Sequence, residues 1–266
     1  MDLVKANEQF NINRGFGTKE FGELLEKAMV RESKFTTKKS FAPSSLGYTG
    51  ACPRYWYYAF NGANFEYDTD APAMANMDAG TDAGVRLAKL LERAGILKGD
   101  EVEVNTIGHD TLPPIRGFID AIVEWKGEEV PVEIKTTKNE TWQTRANANK
   151  VPGYQMAQLL IYMYVMGYPR GFFLTENKNT HELFILPIRM TDEHKALVEK
   201  IFDWMKVVKD NAENGELPKR PFTKASFNCK GCPVKNTCWE GYKRGSVNGT
   251  DPNPGTVDLP PLEIPK

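Results

Sequence analysis

Asp120 and the pair Glu133 and Lys135 are the residues in this chain whose types and spacing suit chemistry. They lie in Gly117-Phe118-Ile119-Asp120 and Val132-Glu133-Ile134-Lys135. Side chains two residues apart on a strand share a face, so Glu133 and Lys135 project together while Val132 and Ile134 point the other way. Asp120 is flanked by Ile119 and Ala121. Two carboxylates and an ammonium on half-buried strands are costly unless paired or bound to a cation. Hard oxygen donors of this kind suit Mg²⁺ or Mn²⁺, which take one or two carboxylates and keep room for water and phosphate. Asp120, Glu133 and the main-chain carbonyl of Ile134 are the expected ligands. Lys135 is expected to position or help deprotonate an attacking water and to offset charge growing on a phosphate. The bland alternative is a cross-strand ion pair on a solvated face, and the bare pattern does not decide between them.

Two further constellations bear on that choice. Gln158 and Tyr162 are four residues apart, hence on one face of the apolar helix expected over 153–167. There they are expected to orient a phosphate or steady Lys135; a buried glutamine beside an ordinary core tyrosine is the alternative. The second constellation is Cys229-x2-Cys232-x5-Cys238 with Cys52 far upstream, which uses all 4 cysteines of the chain. Four thiolates suit zinc or an iron–sulfur cluster. Zinc ribbons usually pair two C-x-x-C knuckles, whereas three close ligands and one distant one lean towards a cluster. Either metal would clip the two ends of the chain together and close a long loop.

The elements that must position these residues follow from periodicity. Strands are expected over 115–125 and 130–136, joined by a Lys126-Gly127-Glu128 turn, with another over 101–107. Helices are expected over 19–31, 77–95, 153–167 and 191–211, and a hairpin over 171–188 around Asn177-Lys178-Asn179. The block Arg54-Tyr55-Trp56-Tyr57-Tyr58 reads either as core or as a base-stacking surface. The polar stretch 138–150, with Trp142, Arg145 and Lys150, reads as a mobile segment near substrate. Residues 1–18 look loosely ordered, and 245–266, rich in Gly, Pro and Asn, look disordered. The basic run 34–39 reads as a solvated loop. Lys and Arg total 34 against 35 Asp and Glu, so a nucleic-acid groove must come from local clustering rather than global charge. No apolar run approaches the ~20 residues of a membrane span, which points to a soluble protein of the cytoplasm, or of the host cytoplasm if viral.

Taken in order, these motifs resemble the RecB-like branch of the PD-(D/E)XK nucleases. The similarity is greatest to the iron–sulfur subfamily that includes the CRISPR-associated RecB-like exonucleases and exonuclease V. It runs from about Ser40 to Tyr242: the Ser-Ser-Leu…Cys-Pro-Arg-Tyr-Trp opening, G-x-x-D ending at Asp120, E-x-K as Glu133 to Lys135, Q-x-x-x-Y as Gln158 to Tyr162, and the closing cysteines. The resemblance implies an α/β fold: a central mixed sheet flanked by helices, like the restriction-endonuclease core, with a C-terminal cysteine-cluster subdomain. The implied division is an N-terminal helical extension over 1–40, a nuclease domain over 41–244 and a tail over 245–266. It also implies a metal-dependent DNA exonuclease of recombination, repair or end processing. Asp120 and Glu133 would hold Mg²⁺ or Mn²⁺, Lys135 would serve the water, and Gln158 and Tyr162 would place substrate. Cys52, Cys229, Cys232 and Cys238 would hold a [4Fe–4S] cluster, zinc being the alternative. Single-stranded DNA or free ends would be gripped by Arg54, Tyr55, Trp56, Trp142, Arg145 and Lys150, with recombination, replication or CRISPR-adaptation proteins as possible partners. One departure stands out. The family's G-x-x-x-H element falls on Gly80-Thr81-Asp82-Ala83-Gly84, with glycine in place of the histidine. A weakly active or inactive DNA-binding adaptor is the rival that this departure favours.

Overall fold

The computed structural model describes residues 18–30, 34–67, 71–240 and 256–265. In chain order it forms α1 (Thr18–Met29), β1 (Lys34–Thr36), α2 (Pro53–Phe60), β2 (Ala63–Phe65), α3 (Ala71–Arg93), β3 (Leu97–Asn105), β4 (Arg116–Trp125) and β5 (Glu128–Thr137). Then follow α4 (Asn139–Ala148), α5 (Gly153–Met166), β6 (Arg170–Asn177), β7 (Leu183–Arg189), α6 (Asp192–Glu213), α7 (Phe227–Lys230) and α8 (Lys235–Trp239). β1 and β2 pair as a small ribbon, while the central sheet has the order β3-β4-β5-β6-β7. Only the β5–β6 pair is parallel, so the sheet is mixed, as expected. The chain reaches β6 from β5 through α4 and α5, the crossover that a parallel pair requires.

Alternation along the strands feeds two cores. Ala121, Val123, Val130, Val132, Ile134 and Leu174 pack against Leu87 of α3 on one face. On the other, Ile122, Phe173 and Ile188 meet α2, α5 and α6 through Trp56, Leu159 and Phe202. The β4–β5 turn has Lys126 at φ 54° and Gly127 at φ 81°, the double positive φ of a two-residue hairpin whose twist matches its strands. α6 opens with a capping box: the Thr191 hydroxyl accepts from the His194 N–H at 3.2 Å, and His194 Nδ1 accepts from the Thr191 N–H at 3.4 Å.

Three expectations fail. The run 34–39, expected as a solvated loop, opens with β1, which pairs with β2. Residues 139–148 are a helix, not an irregular mobile segment. It buries no residue, so it leaves no apolar stripe to read; it is held instead by Trp142 Nε1 donating to the Thr175 carbonyl at 3.2 Å and by the Asn139–Asn177 amide contact at 2.8 Å. The tail is also not disordered throughout. Residues 256–265 lie as a strap across the core: the Leu262 N–H donates to the Ala51 carbonyl at 2.8 Å, Trp204 Nε1 donates to Pro260 at 3.0 Å, and Leu262 is buried. Leu262, with Leu259 and Ile264 packed beside it and with well-placed backbone partners, docks the segment. Residues 1–17, expected to be loosely ordered, and 245–255, expected to be disordered, lie outside the described residues, as do 241–244.

Candidate active site

The β4–β5 ladder runs from Trp125–Glu128 to Ala121–Val132 and stops there. One step further, Asp120 and Glu133 stand opposite each other, and Asp120 Oδ2 takes the place of a ladder carbonyl by accepting from the Ile134 N–H at 2.6 Å. Lys135 Nζ contacts Glu133 Oε1 as an ion pair. The fork thus brings Asp120, Glu133, Ile134 and Lys135 together. Gln158 and Tyr162 join them from α5, both buried. A Cβ added at Gly117 would lie 2.3 Å from Tyr162 Oη, so the glycine three residues before Asp120 is what lets the phenol reach β4. The Gln158 side chain bonds the Tyr162 hydroxyl and lies close enough to Glu133 to lower its pKa.

The electrostatics are those of a site short of positive charge. Burial, then the Asp120 charge, pushes the Glu133 carboxyl up to about 8, against the smaller opposing pull of Lys135. Burial also raises Asp120, opposed by Lys135 and the Ile134 N–H. Burial lowers Lys135, but Glu133 and Asp120 more than reverse this, so it stays an ammonium. Glu133 is wholly buried, yet its Oε2 has no hydrogen-bond partner. An orphaned, buried carboxylate oxygen beside a second carboxylate fits a hard divalent cation.

Two clefts meet at this point, both lined by Ser44, Asp120 and Lys135. One, of about 960 Å³, lies under α3 and adds Gly80, Gly84, Asp100, Glu101 and Ile134. The other, of about 760 Å³, adds Lys38, Lys39, Arg116, Phe118, Gln158 and Tyr162. Gly84 therefore sits on the wall of the site, and a Cβ there would meet nothing within 4 Å. His109, His181 and His194 line neither cleft. The basic run read as a solvated loop contributes two lysines to the second cleft. Its signal in the sequence was the charge run itself.

Of the residues expected to grip DNA, three are misplaced. Arg54, Tyr55 and Trp56 are buried on α2, at 0%, 5% and 0% exposure, where no base can stack on them. Arg54 donates instead to the Pro218 carbonyl at 2.7 Å. Arg145 and Lys150 line a separate, largely apolar cleft of about 820 Å³ that contains none of the site carboxylates, and Trp142 is anchored on β6.

The four cysteines are free thiols, and the charge at each of Cys52, Cys229 and Cys238 is felt at Cys232. Burial pushes Cys52 and Cys232 up to about 12. Burial raises the Cys238 thiol as well, opposed by the neighbouring Arg54 and Arg220. The chain ends are tied here by the Asn228 amide donating to the Tyr48 carbonyl at 2.8 Å and the Glu66 N–H donating to Pro233 at 2.8 Å. The donor set fits a thiolate-bound metal, although among the described residues no three His, Cys, Asp or Glu side chains already stand as a closed cage. Nor is any helix among them long and apolar enough to cross a membrane.

The family model described as the PD-(D/E)XK nuclease superfamily matches residues 83–239, more than half of the chain. No curated protein matches significantly. Similar solved structures include LHK-Exo in complex with dAMP, 19% identical over 53% of this chain and 71% of that one, at a TM-score of 0.44. SSO0001 is 17% identical over 82% and 96%, at a TM-score of 0.45. The alkaline exonuclease LHK-Exo from Laribacter hongkongensis, in a second structure, is 13% identical over 66% and 90%, at a TM-score of 0.46.

Proposed function

The chain belongs to the PD-(D/E)XK nuclease superfamily, and from that membership we propose that it is a metal-dependent DNA exonuclease centred on Asp120, Glu133 and Lys135. The observation that carries the reading is the β4–β5 fork, where half-buried Asp120 and Lys135 line two clefts at once and Glu133, wholly buried beside them, has an orphaned oxygen. Mg²⁺ or Mn²⁺ held by Asp120, Glu133 and the Ile134 carbonyl would supply positive charge at the scissile phosphate and acidify the attacking water. Lys135, kept protonated by its carboxylate neighbours, orients the water and stabilises charge on the phosphate oxygens rather than acting as the base. Gln158 and Tyr162 fix the Glu133 side of the site and its distance from β4.

Two clefts joined at the carboxylates favour a flexible single strand over a stiff duplex. Lys38, Lys39 and Arg116 are the cations placed to follow its phosphates, and Phe118, 41% exposed, is placed to stack a base. The nuclease domain is taken as 41–244, with 1–40 as an extension that lends Lys38 and Lys39 to the groove. The four cysteines form the [4Fe–4S] site, zinc being the alternative. Two arginines beside Cys238 suit an anionic thiolate-bound group. Processing of DNA ends in recombination or repair, in the cytoplasm, is the role that fits these chemistries.

A second reading, a poorly cutting DNA-binding adaptor, is favoured by Gly84, which offers open space where a ligand would reach the site. One assay separates the two. End-labelled single-stranded DNA, linear and as a closed circle, is incubated with Mg²⁺, Mn²⁺ or EDTA. The exonuclease degrades the linear strand with either metal and spares the circle. Equal rates on both forms mean an endonuclease, and binding without cutting means the adaptor.

A further inference from the structure

We propose that Glu101 is a third carboxylate for the catalytic cation, reaching it from the strand on the far side of Asp120. The proposal rests on the reading of Asp120 and Glu133 as cation ligands and adds a residue that none of the chain's motifs contains.

The register supplies the placement. Asp100 pairs with Ala121 and Val102 with Ile119, which sets Glu101 opposite Asp120. The β4–β5 ladder sets Asp120 opposite Glu133 in the same way. Extending both registers by one step puts Glu101, Asp120 and Glu133 in one row of backbone positions across β3, β4 and β5; within it Glu101 and Asp120 share a cleft, while Glu133 is buried beside Asp120 and outside that cleft. Like charges directly opposite one another on a sheet destabilise it, so such a row needs a counter-charge. Lys135 supplies one, against Asp120 and Glu133, which leaves a single negative charge facing a divalent ion. Glu101 restores the second.

The surroundings agree. Glu101, Asp120 and Ile134 line the same cleft, and the Asp120 charge is felt at Glu101. On the opposing α3 wall the family's histidine position is Gly84, which carries no ligand atom; the oxygen-bearing side chains of that wall are Asn76, Thr81 and Glu92. The orphaned Glu133 Oε2 shows that the row is not satisfied by protein groups alone. Among the described residues the carboxylates do not yet close on a single point. Glu101 is the exposed member of the three, with free side-chain torsions through which to close. Its backbone takes the left-handed region, φ 47°, which a residue with a Cβ seldom adopts.

The test is Mn²⁺ binding to the full chain, read by titration calorimetry and by the free-ion signal in electron paramagnetic resonance, for wild type, Glu101→Gln, Asp100→Asn and Glu133→Gln. Loss of one charged ligand is expected to weaken Mn²⁺ roughly tenfold in Glu101→Gln. Asp100→Asn, which removes a neighbouring charge outside the row, should bind as wild type. Melting in EDTA should be the same for Glu101→Gln and wild type, while the rise in Tm on adding Mn²⁺ should shrink in the variant. Wild-type affinity in Glu101→Gln, or an equal loss in Asp100→Asn, overturns the proposal. If Glu133→Gln abolishes binding while Glu101→Gln does not, only the Glu101 assignment falls. If Glu133→Gln binds Mn²⁺ unchanged, or the wild type binds none, the underlying site reading falls with it.

Discussion

At the scale of single residues, Glu133 sets the behaviour of the site. Its carboxyl would ionise near 4.5 in the unfolded chain and does so near about 8 when buried in the fold. Between those values the folded state holds a proton that the unfolded state has lost, so rising pH favours unfolding. Melting in EDTA is therefore expected to fall as pH climbs from 4.5 towards about 8, and Glu133→Gln should flatten the slope. An unchanged slope in the variant would place the titration elsewhere. Gly117 offers a second check. Its missing Cβ would lie 2.3 Å from Tyr162 Oη, so Gly117→Ala must displace the phenol and should cost about 1–3 kcal/mol in stability, with cleavage reduced. A variant as stable and as fast as wild type would remove Tyr162 from the account. The site was legible at this scale because strand period and helix period each put the chemistry on one face. Exposure was not legible: Arg54-Tyr55-Trp56 has the composition of a nucleic-acid surface and the burial of a core.

At the scale of elements, strands and amphipathic helices were readable because burial imposes its period on the sequence. α4 was not, since it packs through one indole and an amide network rather than a stripe. The strap over 256–265 was missed because, over the whole of 245–266, Gly, Pro, Asn and other polar residues outnumber the aliphatics Val257, Leu259, Leu262 and Ile264 that the strap carries. The strap carries a prediction. Removing residues 245–266 exposes the apolar surface covering Leu262, worth about 1.5–3 kcal/mol, and should lower Tm by several degrees. A truncated protein that melts with wild type would mean the strap adds nothing. The cysteine elements carry another. Cys52 occupies the N-cap position of α2, while Cys229 lies in α7, Cys238 in α8 and Cys232 between them. If they share one metal, Cys52→Ala should lose it as completely as Cys232→Ala, with iron at roughly four per chain in anaerobically purified protein. About one zinc per chain would identify the alternative metal.

At the scale of the molecule, a near-neutral chain places three cations along one of the two clefts at the carboxylates. Lys38, Lys39 and Arg116 stand on one side of the carboxylates, while Asp100 and Glu101 stand on the other. The family order of motifs anticipated the mixed sheet and its flanking helices. The groove was not anticipated, because it is assembled from a short basic run and a strand start about 80 residues apart. Single-strand affinity should weaken steeply with salt, and Lys38→Ala with Lys39→Ala should reduce that salt slope by about two. The central claim is that Asp120 and Glu133 perform metal-dependent phosphodiester hydrolysis. Its most direct measurement is the cleavage rate of end-labelled single-stranded DNA in Mn²⁺ by Glu133→Gln, beside the DNA affinity of the same preparation. The account predicts a rate lower by ~10²-fold or more, the scale of removing one electrostatic stabiliser, with affinity unchanged. A variant that cuts at the wild-type rate would contradict it.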